Sequence, residues 1–191
     1  MNSYFYENIP DIKDNWEKIK ELFTDIRVPP KTMLLREGEI ANCLYFINKG
    51  CLRLWFNDDG RDITFQFFFQ QQQVSSFDSF YHNEPSLFNL ETIEFCELTV
   101  INKNDYEKIL NMFPKLKEYS NQIMAERFVC YTKLFLSRIK NSPQERYIEL
   151  CSQKSQILER IPNHYIASYL GITSVSLSRI RKRISSNINN C

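Results

Sequence analysis

Apolar and polar residues change their rhythm along the chain. Residues 13–25 carry Trp16, Ile19, Leu22 and Phe23 at the spacing of one helical face, which predicts a short helix. Pro29-Pro30 must end it, because proline lacks the N–H that a helix interior needs. From Thr32 to Asn102 short β-favouring runs alternate with turn residues: T-M-L-L-R-E, C-L-Y-F-I-N, C-L-R-L-W-F-N, D-I-T-F-Q-F-F-F and T-I-E-F-C-E-L-T-V-I-N. Such runs predict antiparallel strands closed into a barrel or roll. Turns are expected at Gly38, at Asn48-Lys49-Gly50 and at Asn57-Asp58-Asp59-Gly60, the last a hairpin signal. Gln70 to Gln73 reads as a loop.

Beyond Asn102 the rhythm is helical. Asn104, followed by Glu107 at the third position, predicts a capping box. From Pro114 to about Asn141 neither proline nor glycine interrupts a single long helix. Leu116, Ile123, Cys130 and Leu134 share one side of it; Met124, Phe128, Tyr131, Phe135 and Ile139 mark an adjacent stripe. One stripe is expected to cover the chain's own roll and the other a second copy, with a single broad buried face in a monomer as the alternative. The dimer contact is assigned to Leu116, Ile123, Cys130 and Leu134. Ser142-Pro143 marks a hinge, and residues 144–152 a helix with Tyr147, Ile148 and Cys151 inward. The resulting spans are a roll over 1–113, a dimerisation helix over 114–141 and a terminal helical domain over 142–191.

The segment I-P-N-H-Y-I-A-S-Y-L-G-I-T-S-V-S-L-S-R-I-R-K-R-I, residues 161–184, carries the most information. Pro162 and Asn163 start a helix whose inner face is Ile166, Ala167 and Leu170; small Ala167 lets another helix cross closely. Gly171 ends it, Ile172 plugs the turn, and Thr173 can cap the next helix, whose inner face is Leu177, Ile180 and Ile184. This is the pattern of a helix-turn-helix. In that motif the second helix enters the major groove with its N-terminal residues at base edges. Ser174, Val175 and Arg179 are therefore the expected base readers: a hydroxyl, a thymine-methyl contact and a guanidinium that can fork onto guanine. His164, Tyr165, Thr173, Ser176, Ser178, Arg181, Lys182 and Arg183 suit phosphates. The bland alternative is a helical hairpin with a solvated basic face.

Charge distribution strengthens the nucleic-acid reading. The net charge is only +1, but residues 1–113 sum to −7 and residues 114–191 to +8. A basic C-terminal part attracts phosphates while the acidic part faces elsewhere. Cysteines 43, 51, 96, 130, 151 and 191 are scattered without a C-x-x-C pair, so neither a metal nor an iron–sulfur cofactor is expected, and most should be reduced thiols. No apolar run reaches membrane-spanning length and the N-terminus lacks a signal-peptide pattern, so a cytoplasmic protein without membrane contact is expected.

On these residues the chain resembles the Crp/Fnr family of transcription regulators over essentially its full length. The closest correspondence is Ile166–Thr173 with Leu177–Lys182. Residues 29–50 are similar to the opening strands of the family's cyclic-nucleotide-binding-like roll, and residues 77–86 to its short helix and loop. The resemblance implies an α+β protein: an N-terminal antiparallel β-roll (a double-stranded β-helix of cupin-like type), a long dimerisation helix and a C-terminal winged helix-turn-helix. It implies a homodimer on a palindromic double-stranded DNA operator, recognition helices about 34 Å apart, with RNA polymerase as a further partner. Any wing must come mostly from residues 153–162. Cyclic-AMP-binding members carry a Gly-Glu pair and an Arg-Ser or Arg-Thr pair; the matching positions here are Ser75-Ser76 and Ser86-Leu87. Without the arginine the phosphate loses a bidentate, charge-assisted partner. Tight cyclic AMP binding is therefore not expected, and a pocket at Ser75, Ser76, Ser86 and Leu87 would serve another small-molecule effector, or none. No cysteine precedes Cys43, which argues against the family's iron–sulfur sensing.

Two other readings compete with this one. A cupin-like enzyme needs clustered metal ligands, and the chain has only His82 and His164. A ligand-binding or scaffold roll with a degenerate DNA-binding module conflicts with the intact spacing around Gly171.

Overall fold

The computed structural model describes residues 10–153 and 155–188. The chain divides into two compact bodies. The first runs to Phe56 and resumes over Gln66–Glu126; the second joins Asn57–Phe65 to the residues from Arg127 onward. The boundaries expected at 113 and 141 do not coincide with this division. The long helix contributes to both bodies, and the tip of one β-hairpin belongs with the C-terminal helices.

The first body opens with α1 (Pro10–Asp14), α2 (Trp16–Ile19) and a 3-10 turn over Lys20–Leu22. The single helix expected over 13–25 is thus broken, and Phe23 starts a strand, β1 (Phe23–Val28). β1 is an edge strand with half-exposed and exposed positions, so its alternation is too weak to stand out in sequence. There follow β2 (Met33–Leu35), β3 (Cys43–Lys49), β4 (Cys51–Asp58), β5 (Arg61–Phe69), β6 (Gln73–Val74), α3 (Phe77–His82), β7 (Asn89–Thr92) and β8 (Cys96–Asn102). The run expected as one strand over 92–102 is divided between β7 and β8.

The strands form two four-stranded sheets, ordered β1-β8-β3-β6 and β2-β7-β4-β5. The strand pairs whose registers are resolved are antiparallel, as a roll requires. The roll carries no closer likeness to cupin barrels than this pairing. Leu44, Phe46, Ile47, Leu52, Leu54, Leu90, Leu98 and Ile101 of its strands, on both faces of the sheets, are each no more than 4% exposed. Burying one such side chain stabilises the fold by roughly 1.5–3 kcal/mol.

Helix α4 (Lys103–Met112) is capped two residues before the expected position: Asn102 Oδ1 accepts the Asp105 N–H at 2.9 Å. Helix α5 (Pro114–Lys140) matches its expected length. Its first turns are tied to the roll's α4, where the hydroxyls of Tyr106 and Ser120 lie 2.9 Å apart and Leu116 is buried.

In the second body α5 is followed by α6 (Pro143–Gln153), α7 (Ser155–Arg160), α8 (Asn163–Tyr169) and α9 (Ser174–Ile188). Ser142 and Glu145 exchange a capping box at the start of α6, the Ser142 N–H donating to Glu145 Oε2 at 2.7 Å. Of the three residues expected inward on α6, Tyr147 is buried, but Ile148 is 48% exposed and Cys151 exposed. Leu150 takes the inner position at i+3. Among the described residues no strand follows β8, so the expected wing is absent. Residues 155–160 are helical instead, and Ile157 and Ile161, one helical turn apart, fill the core.

Gly50 stands between β3 and β4 at φ +104°, and a Cβ there would lie 2.5 Å from Cys96 Sγ and 2.8 Å from the Phe95 carbonyl. Gly50→Ala combines a left-handed backbone with a clash against the main chain and is expected to cost about 3 kcal/mol in urea-induced unfolding. Gly60→Ala, with nothing within 4 Å, should cost only the backbone penalty of about 1–2 kcal/mol.

Candidate functional site

The turn between α8 and α9 is built from backbone bonds around one glycine. Gly171 N–H donates to the Ser168 carbonyl and Ile172 N–H to the Ala167 carbonyl, each at 3.0 Å, with Gly171 at φ +67°. This is a Schellman motif, which needs a left-handed residue at that position. Thr173 Oγ1 then accepts the Ser176 N–H at 3.2 Å and caps α9. Ile166, Ala167 and Leu170 of α8 are buried, as are Leu177 and Ile180 of α9.

Packing of that inner face leaves the outer face of α9 to solvent. Ser174, Ser178, Arg179 and Lys182 are exposed and Val175 is 60% exposed. These side chains form one surface at the N-terminal half of a 15-residue helix. The residues expected at phosphates are less uniform. Lys182 and Arg183 are exposed, the latter with Nη1 3.4 Å from Gln144 Oε1. Arg181 is half-buried, its guanidinium 5.7 Å from the Tyr147 ring centroid, so packing holds it. The hydroxyls of Thr173 and Ser176 lie 3.0 Å apart within the cap. His164 is exposed with its ring 4.0 Å from half-buried Tyr165.

Two arginines absent from the sequence expectations brace this turn. Arg138 Nη2 donates to the Tyr169 carbonyl at 3.1 Å and Arg146 Nη2 to the Leu170 carbonyl at 2.9 Å. Arg146 Nη1 also donates to the Asn141 carbonyl at 2.8 Å. Cations thus meet the carbonyls left unpaired at the ends of α8 and α5. Only tertiary proximity brings these residues to the turn, so no local pattern marks them.

Exposure along the long helix does not follow the two expected stripes. Leu116 is 1% exposed inside the first body, and Ile123 and Leu134 are half-buried; of the four assigned residues only Cys130 is exposed. The outward apolar side chains are Phe128 at 73%, Phe135 at 64% and Ile139 at 66% exposure, flanked by Val129 and Leu136. Met124 and Tyr131 of that stripe are half-buried.

In the roll, the expected pocket residues separate. Ser76 and Ser86 are buried and joined at 2.7 Å, Ser76 also donating to Asp78 Oδ1 at 2.8 Å. Ser86 Oγ further accepts the Phe88 N–H at 3.1 Å. Leu87 is 65% exposed and leaves the group. Ser75 Oγ donates to the Cys43 carbonyl and lines a cavity of about 170 Å³ with Tyr45, Cys43, Glu39 and Leu90. Burial pushes the Cys43 thiol up from its ordinary value, the reverse of what a reactive thiolate needs.

The roll's main charged feature was not foreseen. Arg53 on β4 is 1% exposed, and its Nε and Nη2 lie 2.8 and 2.6 Å from Oε1 of Glu91, its cross-strand neighbour on β7. Trp55, two residues along the same strand face, stacks 4.7 Å from the guanidinium. Sequence shows only an alternating strand here; which face is covered, and by what, is a tertiary fact. Among the described residues no group of three or more His, Cys, Asp or Glu side chains is placed to hold a metal. Nor is any helix among them long and apolar enough to cross a membrane.

Comparison with known proteins defines the class. Residues 25–112 match the family described as the cyclic nucleotide-binding domain. Over 98 residues the chain is 30% identical to the anaerobic regulatory protein of Bacillus subtilis (strain 168), covering 51% of this chain and 41% of that protein. The chain thus aligns with less than half of that relative's length. The structure of the regulator CLP of Xanthomonas campestris, described as c-di-GMP responsive, superposes with a TM-score of 0.76 at 17% identity, covering 92% of each chain. A Crp/Fnr-family structure from Eubacterium rectale superposes with a TM-score of 0.74 at 19% identity, over 91% of this chain and 83% of that one. The first body thus contains the segment similar to that domain family. The chain as a whole has the fold of the Crp/Fnr regulators.

Removing one partner of the Arg53–Glu91 pair leaves a buried charge uncompensated. Glu91→Ala is expected to lower unfolding free energy by about 3–5 kcal/mol, and the joint replacement Arg53→Met with Glu91→Leu to recover most of it. A double-mutant cycle in urea checks both; additive losses would contradict the pairing.

Proposed function

We propose that the chain is a sequence-specific DNA-binding transcription regulator that acts as a homodimer and does not respond to cyclic AMP. The observation that carries this reading is the outer face of α9, where Ser174, Val175, Arg179 and Lys182 stand exposed beyond a tight glycine turn. A helix presented this way suits the major groove, with Ser174, Val175 and Arg179 at base edges and Lys182 and Arg183 at phosphates. Regulators with this fold, and the relative named an anaerobic regulatory protein, support the same reading.

Dimerisation is assigned to the outward stripe of α5. Phe128 and Phe135 are seven residues apart and Ile139 four further, the spacing of a helix–helix seam. A palindromic operator and contact with RNA polymerase follow as expectations. Cyclic AMP is disfavoured because the phosphate-site positions hold hydrogen-bonded serines and an outward leucine, while the roll's buried arginine is already paired with Glu91. Any effector would be of another kind.

Selection of duplex DNA from a random pool with the purified protein, followed by gel-shift titration, tests the reading. Arg179→Ala should cost about 1–3 kcal/mol and relax preference at one base pair, whereas Lys182→Ala should weaken all sequences alike and reduce the salt slope by about 1. No selected sequence would refute it. In sedimentation, Phe135→Glu should shift the dimer toward monomer by at least about tenfold in dissociation constant, because a charge is forced into an apolar seam. Millimolar cyclic AMP should leave the affinity for selected DNA unchanged.

A further inference from the structure

The outer face of α9 is distinguished by one group it lacks and one it displays. From Ile161 to Ile188 the chain carries no Asp or Glu. That face therefore offers cations and hydroxyls but no carboxylate. Among the described side chains of α9, Val175 is the apolar one left more than half exposed, at 60%; Leu177 and Ile180 are buried and Ile184 is half-buried. Val175 is the second residue of the helix, at the end that a major groove would receive. Valine is a weaker helix former than alanine, so helix stability gives no reason for it at an exposed position. Ser174 and Ser178 beside it are too short to cover its methyl groups. Among the described residues their hydroxyls have no partner, whereas those of Thr173 and Ser176 lie 3.0 Å apart within the cap.

We infer that Val175 reads the C5 methyl group of a pyrimidine, so that DNA binding by this chain responds to cytosine methylation. This deepens the DNA-binding reading above and rests on it. In the major groove thymine presents an O4 acceptor and a C5 methyl, while cytosine presents an N4 donor and a bare C5. A carboxylate would select the N4 donor, and this face has none. The Ser174 hydroxyl donates to O4 or accepts from N4, so it serves either base. The methyl group is then what decides, and 5-methylcytosine presents it as thymine does. Val175 and Arg179 stand one helical turn apart, about 5–6 Å between Cβ atoms. Successive bases along one strand are separated by about 3.4 Å. The methyl-bearing pyrimidine therefore lies about one or two base pairs from the guanine that Arg179 reads.

The test uses the full chain and the duplex it selects from a random pool. Each thymine of a half-site is replaced singly by deoxyuridine, which removes the methyl group and nothing else. At one position, beside the guanine whose readout Arg179→Ala relaxes, affinity should fall about fourfold, the scale of one buried methyl group. Cytosine at that position, paired with guanine, should bind weakly, and 5-methylcytosine should regain about the same fourfold. Val175→Ser and Val175→Thr both carry a hydroxyl and differ by one methyl group. Both methyl effects should vanish in Val175→Ser and persist in Val175→Thr, while Lys182→Ala should weaken binding and leave them unchanged. Deoxyuridine without effect at every thymine overturns the inference, as does a loss that persists in full in Val175→Ser, or 5-methylcytosine binding no tighter than cytosine. Each of these leaves DNA binding itself standing. A pool from which no duplex is selected overturns the DNA-binding reading, and the inference with it.

Discussion

Helix ends leave carbonyls unpaired, and the second body is organised around satisfying them. α5 and α8 end near one another, and Arg138 and Arg146 place guanidinium groups on the carbonyls of Asn141, Tyr169 and Leu170. A guanidinium can serve two carbonyls at once because its donors are fixed in a plane. The Gly171 and Ile172 N–H groups satisfy two more carbonyls of α8, those of Ser168 and Ala167, from the turn side. The direction in which α9 leaves the turn follows from these bonds. So does the choice of which face of α9 is buried by Leu177 and Ile180 and which is left to solvent.

The β-roll solves a different problem. Its β4 strand is buried on both faces, with Leu52 and Leu54 on one and Arg53 on the other. A lone buried guanidinium would be costly, and the cross-strand carboxylate of Glu91 with the Trp55 ring makes the position tolerable. Ser76 and Ser86 likewise bond one another, and Ser86 also reaches the Phe88 carbonyl.

Much of the local order was legible in the residues. The strand runs, the Asp59-Gly60 hairpin, the length of α5 and the Gly171 turn all follow from periodicity and from residues that accept positive φ. Misreadings came where local signals compete. Phe23 continues a helical spacing yet begins β1, because pairing with Ile101 outweighs a weak four-residue stripe. Asn102 caps α4 in place of Asn104, both being competent caps and the choice depending on where β8 ends. Residues 155–160 became a helix, with Ile157 facing the core, and among the described residues no strand pair takes the place of a wing.

The sequence by itself determined the strand runs and their turns, the long helix and the helix pair around Gly171, since each rests on interactions between residues close in the chain. Tertiary structure decided which stripe of α5 turns outward, whether Arg181 is held by Tyr147, and that Arg53 meets Glu91. Those pairings join segments tens of residues apart, and periodicity says only that a face is covered. What covers it is set by the packing of the whole chain.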